Sequence, residues 1–304
     1  MTALETSPSR SNAVSANRDR RLRLALPKGR MEPSIDGVLS EAGIRISSDR
    51  RGYRPAVEGY TCFETKRLKP QAVVSMIASG TRDVGFAGAD WAMELDLESS
   101  LVEVFDTGLD PIRIVAAAPI GVVVDGDGTA PIRIASEMPR IAASWATERG
   151  LDYTLVRSWG STEVLPPEDA DVIVDLVQTG ATLAANDLRV IDEIACSSTR
   201  MYASIQAYQC PMRRTLIERF RDLVQSVIEA RSRYLVDLNV APERLEEVLA
   251  VIPSMRRPTV SPLAAGGFAV RAAVPRDGFP NLVDRIRSSG GSDLVVSEVR
   301  QVIP

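Results

Sequence analysis

The stretch Asp171-Val172-Ile173-Val174-Asp175-Leu176-Val177-Gln178-Thr179-Gly180-Ala181-Thr182-Leu183 decides how the rest of this chain is read. Its first seven residues are a short, β-branched apolar run, which marks a buried strand. Four small residues, Thr179 to Thr182, then lead into the helix-compatible segment 183–185. A strand feeding a small-residue turn and a helix is a unit of parallel α/β architecture. Such a turn lets backbone N–H groups close around a phosphate while two threonine hydroxyls add donors. A Thr-Gly turn joining strand to helix is also common without any ligand.

The same grammar recurs upstream. Leu22 to Leu26 reads as a strand that breaks at Pro27-Lys28-Gly29-Arg30, and Ile35, Val38, Leu39 and Ala42 recur at helical spacing up to Gly43. Ala72, Val73, Met76 and Ile77 mark a second helix, and Asp83 to Gly88 a buried strand running into a turn. From Ile112 the pattern restarts, with strands at 112–118 and 132–135, a Gly/Asp loop at 125–128 and a helix from Arg140 to Arg149. A second α/β lobe follows from that restart. Leu216 to Ile228 trace an amphipathic helix, after which strand, helix, strand, strand, helix, strand alternate from Tyr234 to Val299. That order is the βαββαβ of a ferredoxin-like, ACT-like sandwich.

Composition narrows the function. The 304 residues are 45% hydrophobic and 25% charged, with a net charge of -4 and no long basic stripe, so nucleic acid is not an expected partner. No apolar run is long enough to span a membrane and no secretory signal is evident, so the expected location is cytoplasmic. Residues 1–20 are rich in Ser, Asn and Arg and read as a disordered tail, with a transit peptide as the other reading. Three widely spaced cysteines match no zinc pattern. There is no histidine at all, which removes Ser-His-Asp and Cys-His nucleophiles, His-ligated zinc and histidine bases. Chemistry here falls to carboxylates, lysines, backbone dipoles or a hard metal ion.

Candidate groups fit that inventory. Asp175 and Glu163 can hold ribose hydroxyls or a magnesium ion on pyrophosphate oxygens, although single acids are more often surface charges. Lys28 and Arg30 lie in a loop after a parallel strand, where open α/β sheets bind ligands. In Gly85-Phe86-Ala87-Gly88-Ala89-Asp90 the glycines allow close backbone approach, and Asp90 can receive a hydroxyl or an amino group.

Taken in order, LALPKGRM, DVGFAGADW, GSTEV, DVIVDLVQTGATLAANDL and RPTVSPL resemble the long form of the ATP phosphoribosyltransferase family of histidine biosynthesis, over nearly everything from Leu22 onward. The resemblance implies a catalytic part of two lobes, like a type II periplasmic binding protein, with lobe I at 21–110 and 190–212 and lobe II at 111–189. A connecting helix at 213–231 and a regulatory domain at 232–304 complete the chain. It implies transfer of ribose 5-phosphate from phosphoribosyl pyrophosphate to N1 of ATP, magnesium dependence, histidine as inhibitor and a homohexamer or dimer. Catalytic roles fall to Glu163, Asp175 and Lys28, with Glu163 and Asp175 also placed at the metal. The donor is expected on Asp175, Gln178, Thr179, Gly180, Ala181, Thr182 and Leu183. The nucleotide is expected on Lys28, Gly29, Arg30, Gly88, Ala89 and Asp90, and the inhibitor on Thr259 and Ser261.

The chain also departs from the family's pattern at 62–73 and at Ser136-Glu137-Met138-Pro139, both on the acceptor side, and carries Gln178 where an acid is frequent. A phosphoribosyltransferase with another heterocyclic acceptor is the neighbouring reading. A non-catalytic ligand-binding protein of the same fold is the more distant one.

Overall fold

The computed structural model describes residues 21–47, 52–59, 62–124 and 130–303. The expected tail at 1–20 and the Gly/Asp loop at 125–128 lie outside these residues. Two compact units are present, one comprising residues up to 37 with 45–221 and the other comprising 38–44 with 222–304.

The first unit is built on one eight-stranded sheet. Its strands are β1 (Leu22–Pro27), β4 (Phe63–Leu68), β5 (Val84–Gly88), β6 (Leu101–Pro119), β7 (Ile132–Ser136), β8 (Tyr153–Arg157), β9 (Val172–Val177) and β10 (Leu188–Ser204), in the order β4-β1-β5-β10-β6-β9-β7-β8. A separate small ribbon pairs β2 (Arg45–Ile46) with β3 (Val57–Glu58). Parallel β4, β1 and β5 form one lobe, and parallel β9, β7 and β8 form the other. The long antiparallel strands β6 and β10 run through both.

Lobe II shows how alternation makes a two-sided core. Ile114, Ala116, Ile134, Val172 and Val174 pack against Trp145 of α4 (Pro139–Glu148) on one face. Val115, Ala117, Ala135, Ile173 and Val177 face the opposite way, against Leu183 of α5 (Ala181–Ala185). Both faces being covered is why these strands read as continuous apolar runs. In lobe I, Val73, Val74 and Ile77 of α2 (Pro70–Ala78) pack on Ala25, Ala87 and Tyr202. Helix α1 (Glu32–Glu41) follows the turn after β1, and α3 (Ala89–Glu94) follows β5 directly.

The lobes repeat one electrostatic pin. In lobe I the backbone N, Nε and Nη2 of Arg23 donate to the Asp83 carboxylate at 2.8, 3.1 and 2.6 Å. In lobe II the same three atoms of Arg133 donate to Asp171 at 2.8, 3.2 and 2.7 Å. Each arginine is the second residue of its lobe's first parallel strand, and each aspartate immediately precedes a later parallel strand. Leu22-Arg23-Leu24-Ala25 and Ile132-Arg133-Ile134-Ala135 are therefore the same structural element used twice.

Several expectations move. The strand foreseen from Ile112 is the second half of the 19-residue β6. Residues 190–197 pair with Ile112–Ala117 and so belong to lobe II, not lobe I, which begins again near Thr199 opposite Gly88. The polar composition of that stretch hid it, because β10 carries Arg189, Asp192 and Glu193 on half-exposed positions. The connecting helix is α7 (Pro211–Arg231), preceded by the short α6 (Ile205–Gln209), and its last turns belong with the second unit.

In the second unit the order is β12-β13-β11-β14, all antiparallel, with β11 at Arg233–Val240, β12 at Thr259–Pro262, β13 at Phe268–Pro275 and β14 at Gly291–Glu298. That is the ferredoxin-like arrangement. Val236, Leu238, Val270, Ala272 and Val274 meet Val248 of α8 (Leu245–Val251) and Leu282 and Ile286 of α9 (Phe279–Ser288).

The two pins predict different losses. Asp83 is fully buried and also receives Arg213 at 3.2 Å, so Asp83→Ala leaves guanidinium groups without their counter-charge and costs about 3–5 kcal/mol. Asp171 is much more exposed, so Asp171→Ala costs distinctly less. Urea unfolding of the two variants checks the ranking, and equal losses would contradict it.

Candidate functional site

Strand directions place the site. Because β10 is antiparallel to β5, Gly88 at the carboxyl end of β5 sits opposite Thr199, while Val84 sits opposite Ala203. Because β6 is antiparallel to β9, Val177 at the carboxyl end of β9 sits opposite Arg113, while Ile173 sits opposite Ala117. The parallel strands of both lobes thus direct their carboxyl ends at one junction, near Asp110 in β6 and Ser197 in β10. Open α/β sheets bind ligands at such ends.

The junction is built from polar cross-strand bonds. Asp110 adopts a left-handed backbone (φ 49°), and its carboxylate accepts from Ser34 Oγ at 2.7 Å and Thr199 Oγ1 at 3.1 Å. Arg30 donates to the Asp110 carbonyl at 3.2 Å. A cavity of about 440 Å³ opens here, lined by Asp106, Gly108, Pro111, Ile112, Arg113, Val177, Gln178, Cys196, Ser197, Ser198 and Arg200. That volume lies within the usual range for small-molecule sites.

The small-residue turn closes the end of β9. Gln178, Thr179, Ala181 and Thr182 are exposed and free to meet a ligand, and Gly180 holds φ 82°, a conformation that disfavours any side chain. Leu183 behaves differently: it is 4% exposed and its side chain packs into the lobe II core, where it anchors the turn.

Asp175 stands one turn of chain before it. Burial pushes its carboxyl up to about 6, against a bond from the Leu176 N–H at 2.7 Å, and the charges of Glu163 and Glu137 push it further the same way. Three acids therefore share one neighbourhood, from the ends of β9 and β7 and from the short turn Thr162–Val164. Glu137 also lies beside Gly160, where a Cβ would stand 3.7 Å from its Oε1. Among the described residues no group of three His, Cys, Asp or Glu is placed to cage a metal ion.

On the lobe I side, Lys28, Gly29 and Arg30 occupy the turn after β1, with Lys28 Nζ 3.7 Å from the centre of the exposed Tyr53 ring. Gly88, Ala89 and Asp90, expected at the nucleotide, are all buried. Asp90 is 1% exposed; its Oδ1 accepts from Ser197 Oγ at 2.6 Å, and its N–H donates to the same hydroxyl at 3.0 Å. Burial raises its carboxyl above the usual range, with Ser197 and the Arg30 charge acting the other way. The cavity residues Asp106, Arg113, Cys196, Ser197, Ser198 and Arg200 carried no sequence signal, because they lie on two polar strands separated by some eighty residues.

Thr259 and Ser261 are exposed on the edge strand β12, opposite Arg271 and Ala269. They share the uncovered face of the second sheet with the Arg271–Asp237 ion pair at 2.7 Å.

Comparison with known proteins gives one consistent answer. The family profile described as ATP phosphoribosyltransferase matches residues 69–226, and that described as HisG, C-terminal domain matches 230–301. Proteins named ATP phosphoribosyltransferase are similar over nearly the whole chain. One from Pelotomaculum thermopropionicum is 31% identical over 93% of this chain and 100% of its own length. Another from Chlorobium luteolum is 31% identical over 94% and 99%. Among solved structures, a chain of the ATP phosphoribosyl transferase (HisG:HisZ) complex from Thermotoga maritima superposes with a TM-score of 0.60, at 27% identity over 68% of this chain and 98% of that one.

The elevated Asp175 carboxyl gives a pH-dependent prediction. With a folded value near 6 against 3.8 unfolded, the folded chain keeps this proton between those values while the unfolded chain has lost it. Stability from this group therefore falls as pH rises from about 4 to 6. Asp175→Asn should stabilise the fold by about 1–3 kcal/mol at pH 7.5 and leave it unchanged below pH 4. Thermal melts at the two pH values measure this, and equal shifts at both would refute the assignment.

Proposed function

The chain belongs to the ATP phosphoribosyltransferase family and carries out the first step of histidine biosynthesis, and we propose that its donor sits on the 178–182 turn and its acceptor purine in the junction cavity. One observation carries this assignment: Val177 and Gln178 are at once the end of the donor's strand and part of the cavity wall. A ribose held at Asp175 then presents C1 to a purine lying across the junction.

The reaction joins adenine N1 to ribose C1 as the C1–O bond to pyrophosphate breaks and its electron pair leaves with pyrophosphate. Charge builds up at C1 and on the departing group, so positioning and electrostatics are the protein's task. Backbone N–H groups of Thr179 to Thr182 hold the 5-phosphate, and Asp175 and Glu163 lie where they meet ribose hydroxyls. Lys28 and Arg30 supply positive charge toward phosphate oxygens from the opposite lobe. The absence of histidine is no obstacle, since this transfer needs no covalent nucleophile.

A magnesium ion suits this donor set. Glu163 and Asp175 offer hard oxygens in a neighbourhood made more negative by Glu137, but no three-residue cage surrounds them among the described residues. Magnesium keeps most of its waters and binds through one or two carboxylates plus substrate phosphates. When bound it would neutralise pyrophosphate as it leaves. Histidine inhibition is assigned to Thr259 and Ser261 on the uncovered sheet face, and the chain is assigned to a homohexamer or dimer in the cytoplasm, where cysteines remain thiols.

The test is pyrophosphate release from phosphoribosyl pyrophosphate and magnesium, with and without ATP, with pyrophosphatase added. Release that needs ATP and yields phosphoribosyl-ATP is expected, and ATP-independent binding without product would turn the reading to another acceptor. Gly180→Val, which forces a β-branched residue into φ 82°, should weaken the donor by at least about tenfold while ATP binding is kept.

A further inference from the structure

We propose that Asp90 fixes the polarity of the Ser197 hydroxyl in the acceptor cavity, making it accept a hydrogen bond from the ligand without donating one, and so selects purines with an exocyclic amino group over those with an oxo group. This rests on the cavity being the seat of the acceptor.

A serine hydroxyl has one proton to donate and two lone pairs. Ser197 gives its proton to Asp90 Oδ1 at 2.6 Å and uses one lone pair on the Asp90 N–H at 3.0 Å. One lone pair is left for a ligand. Asp90 is held in that role: it is buried, it begins α3, and its Oδ1 lies 2.0 Å from where a Cβ on residue 88 would stand, so only glycine admits it. Its other oxygen, Oδ2, is buried without a partner among the described residues, which is a cost sustained at a place where the fold has no structural use for a second acceptor.

The neighbouring hydroxyl follows the same rule. Ser198 gives its proton to Asp106 Oδ1 at 2.6 Å, so it too faces a ligand with lone pairs only. Opposite Ser197 in the ladder stands Ile112, which contributes no donor at that rung. The cavity's donors lie elsewhere on its lining, on Gln178 and on Arg113 and Arg200, which pair with Glu193 and with Glu103 and Asp106 while Arg200 Nε stays buried without a partner among the described residues. An amino group on the purine placed at Ser197 and Ser198 would find acceptors there, whereas a carbonyl oxygen at the same position would face lone pairs.

Asp90 is thus a positioning residue that acts through Ser197. The experiment compares the KM for ATP with the inhibition constant of inosine 5′-triphosphate, competitive against ATP, in the full-length enzyme. The wild type should prefer ATP by at least about tenfold. Ser197→Ala and Asp90→Ala should each reduce that ratio by about tenfold, with the KM for phosphoribosyl pyrophosphate unmoved. Asp90→Asn should keep it, because an amide oxygen still accepts the serine proton. If Asp90→Ala does not fold, Ser197→Ala decides. An unchanged ratio in Ser197→Ala overturns this inference while leaving ATP as acceptor. A loss in Asp90→Asn as large as in Asp90→Ala also overturns it, since charge would then matter instead of hydrogen-bond direction. A wild type that does not turn over ATP would instead remove the acceptor reading itself, and this inference with it.

Discussion

The antiparallel pairing of β6 with β10 is the constraint on which the catalytic unit depends. Nineteen and seventeen residues long, these strands are shared by both lobes, and their opposite directions oblige the lobes' parallel strands to point at each other. A site between the lobes follows from that geometry. The same pairing brings Ser197 to Asp90, Thr199 to Asp110 and Ser198 to Asp106, partners 89 to 107 residues apart in the chain. The ladder is irregular where this happens: pairing jumps from Leu109 to Asp106 as β10 advances by one residue, and Gly108 and Asp110 take positive φ. Bulges of this kind re-aim side chains beside functional sites, and here they turn a sheet into the floor of a cavity.

Charge is handled in two opposite ways within this unit. Asp83 and Asp171 are matched by arginines with nearly identical geometry, and they fasten the first parallel strand of each lobe to a later one. Asp175, at the carboxyl ends of lobe II, has no such arginine, and burial together with the charges of Glu163 and Glu137 raises its proton affinity. The arginine pins tie strands within each lobe, while Asp175, Glu163 and Glu137 gather at the carboxyl ends of lobe II. Perturbed carboxyls in a cleft are a mark of functional sites, and the contrast inside one fold makes the mark easier to trust.

The departures from the family pattern acquire places in the structure. Residues 63–68 are the edge strand β4, where Phe63, Thr65 and Arg67 face inward and the Arg67 guanidinium is matched by Asp36 and Glu32. Ser136 ends β7 by donating to the Val174 carbonyl and accepting from the Met138 N–H, which puts Glu137 at the cleft. The first departure is thus largely a matter of strand packing, and the second alters the charge of the site.

What the sequence determined by itself was the set of local units: the apolar runs of β1, β5 and β9, the turn at 178–182, the helical periodicities, and the βαββαβ order of the second unit. Each is encoded within about ten residues, because strand alternation, helical spacing and turn chemistry are short-range properties. Ordered motifs added the family. The sequence could not show β4 or β10, whose charged residues are satisfied by partners far along the chain and so mask the strand pattern, or β8, whose residues are largely exposed or half-exposed and lack a clear buried face. Only the tertiary structure decided that Leu183 and Asp90 turn inward, that Glu137 joins Asp175, and that Ser197 and Ser198 form a cavity wall. Those assignments depend on which face of a strand meets which neighbour across a bulged ladder, and no local pattern contains that information.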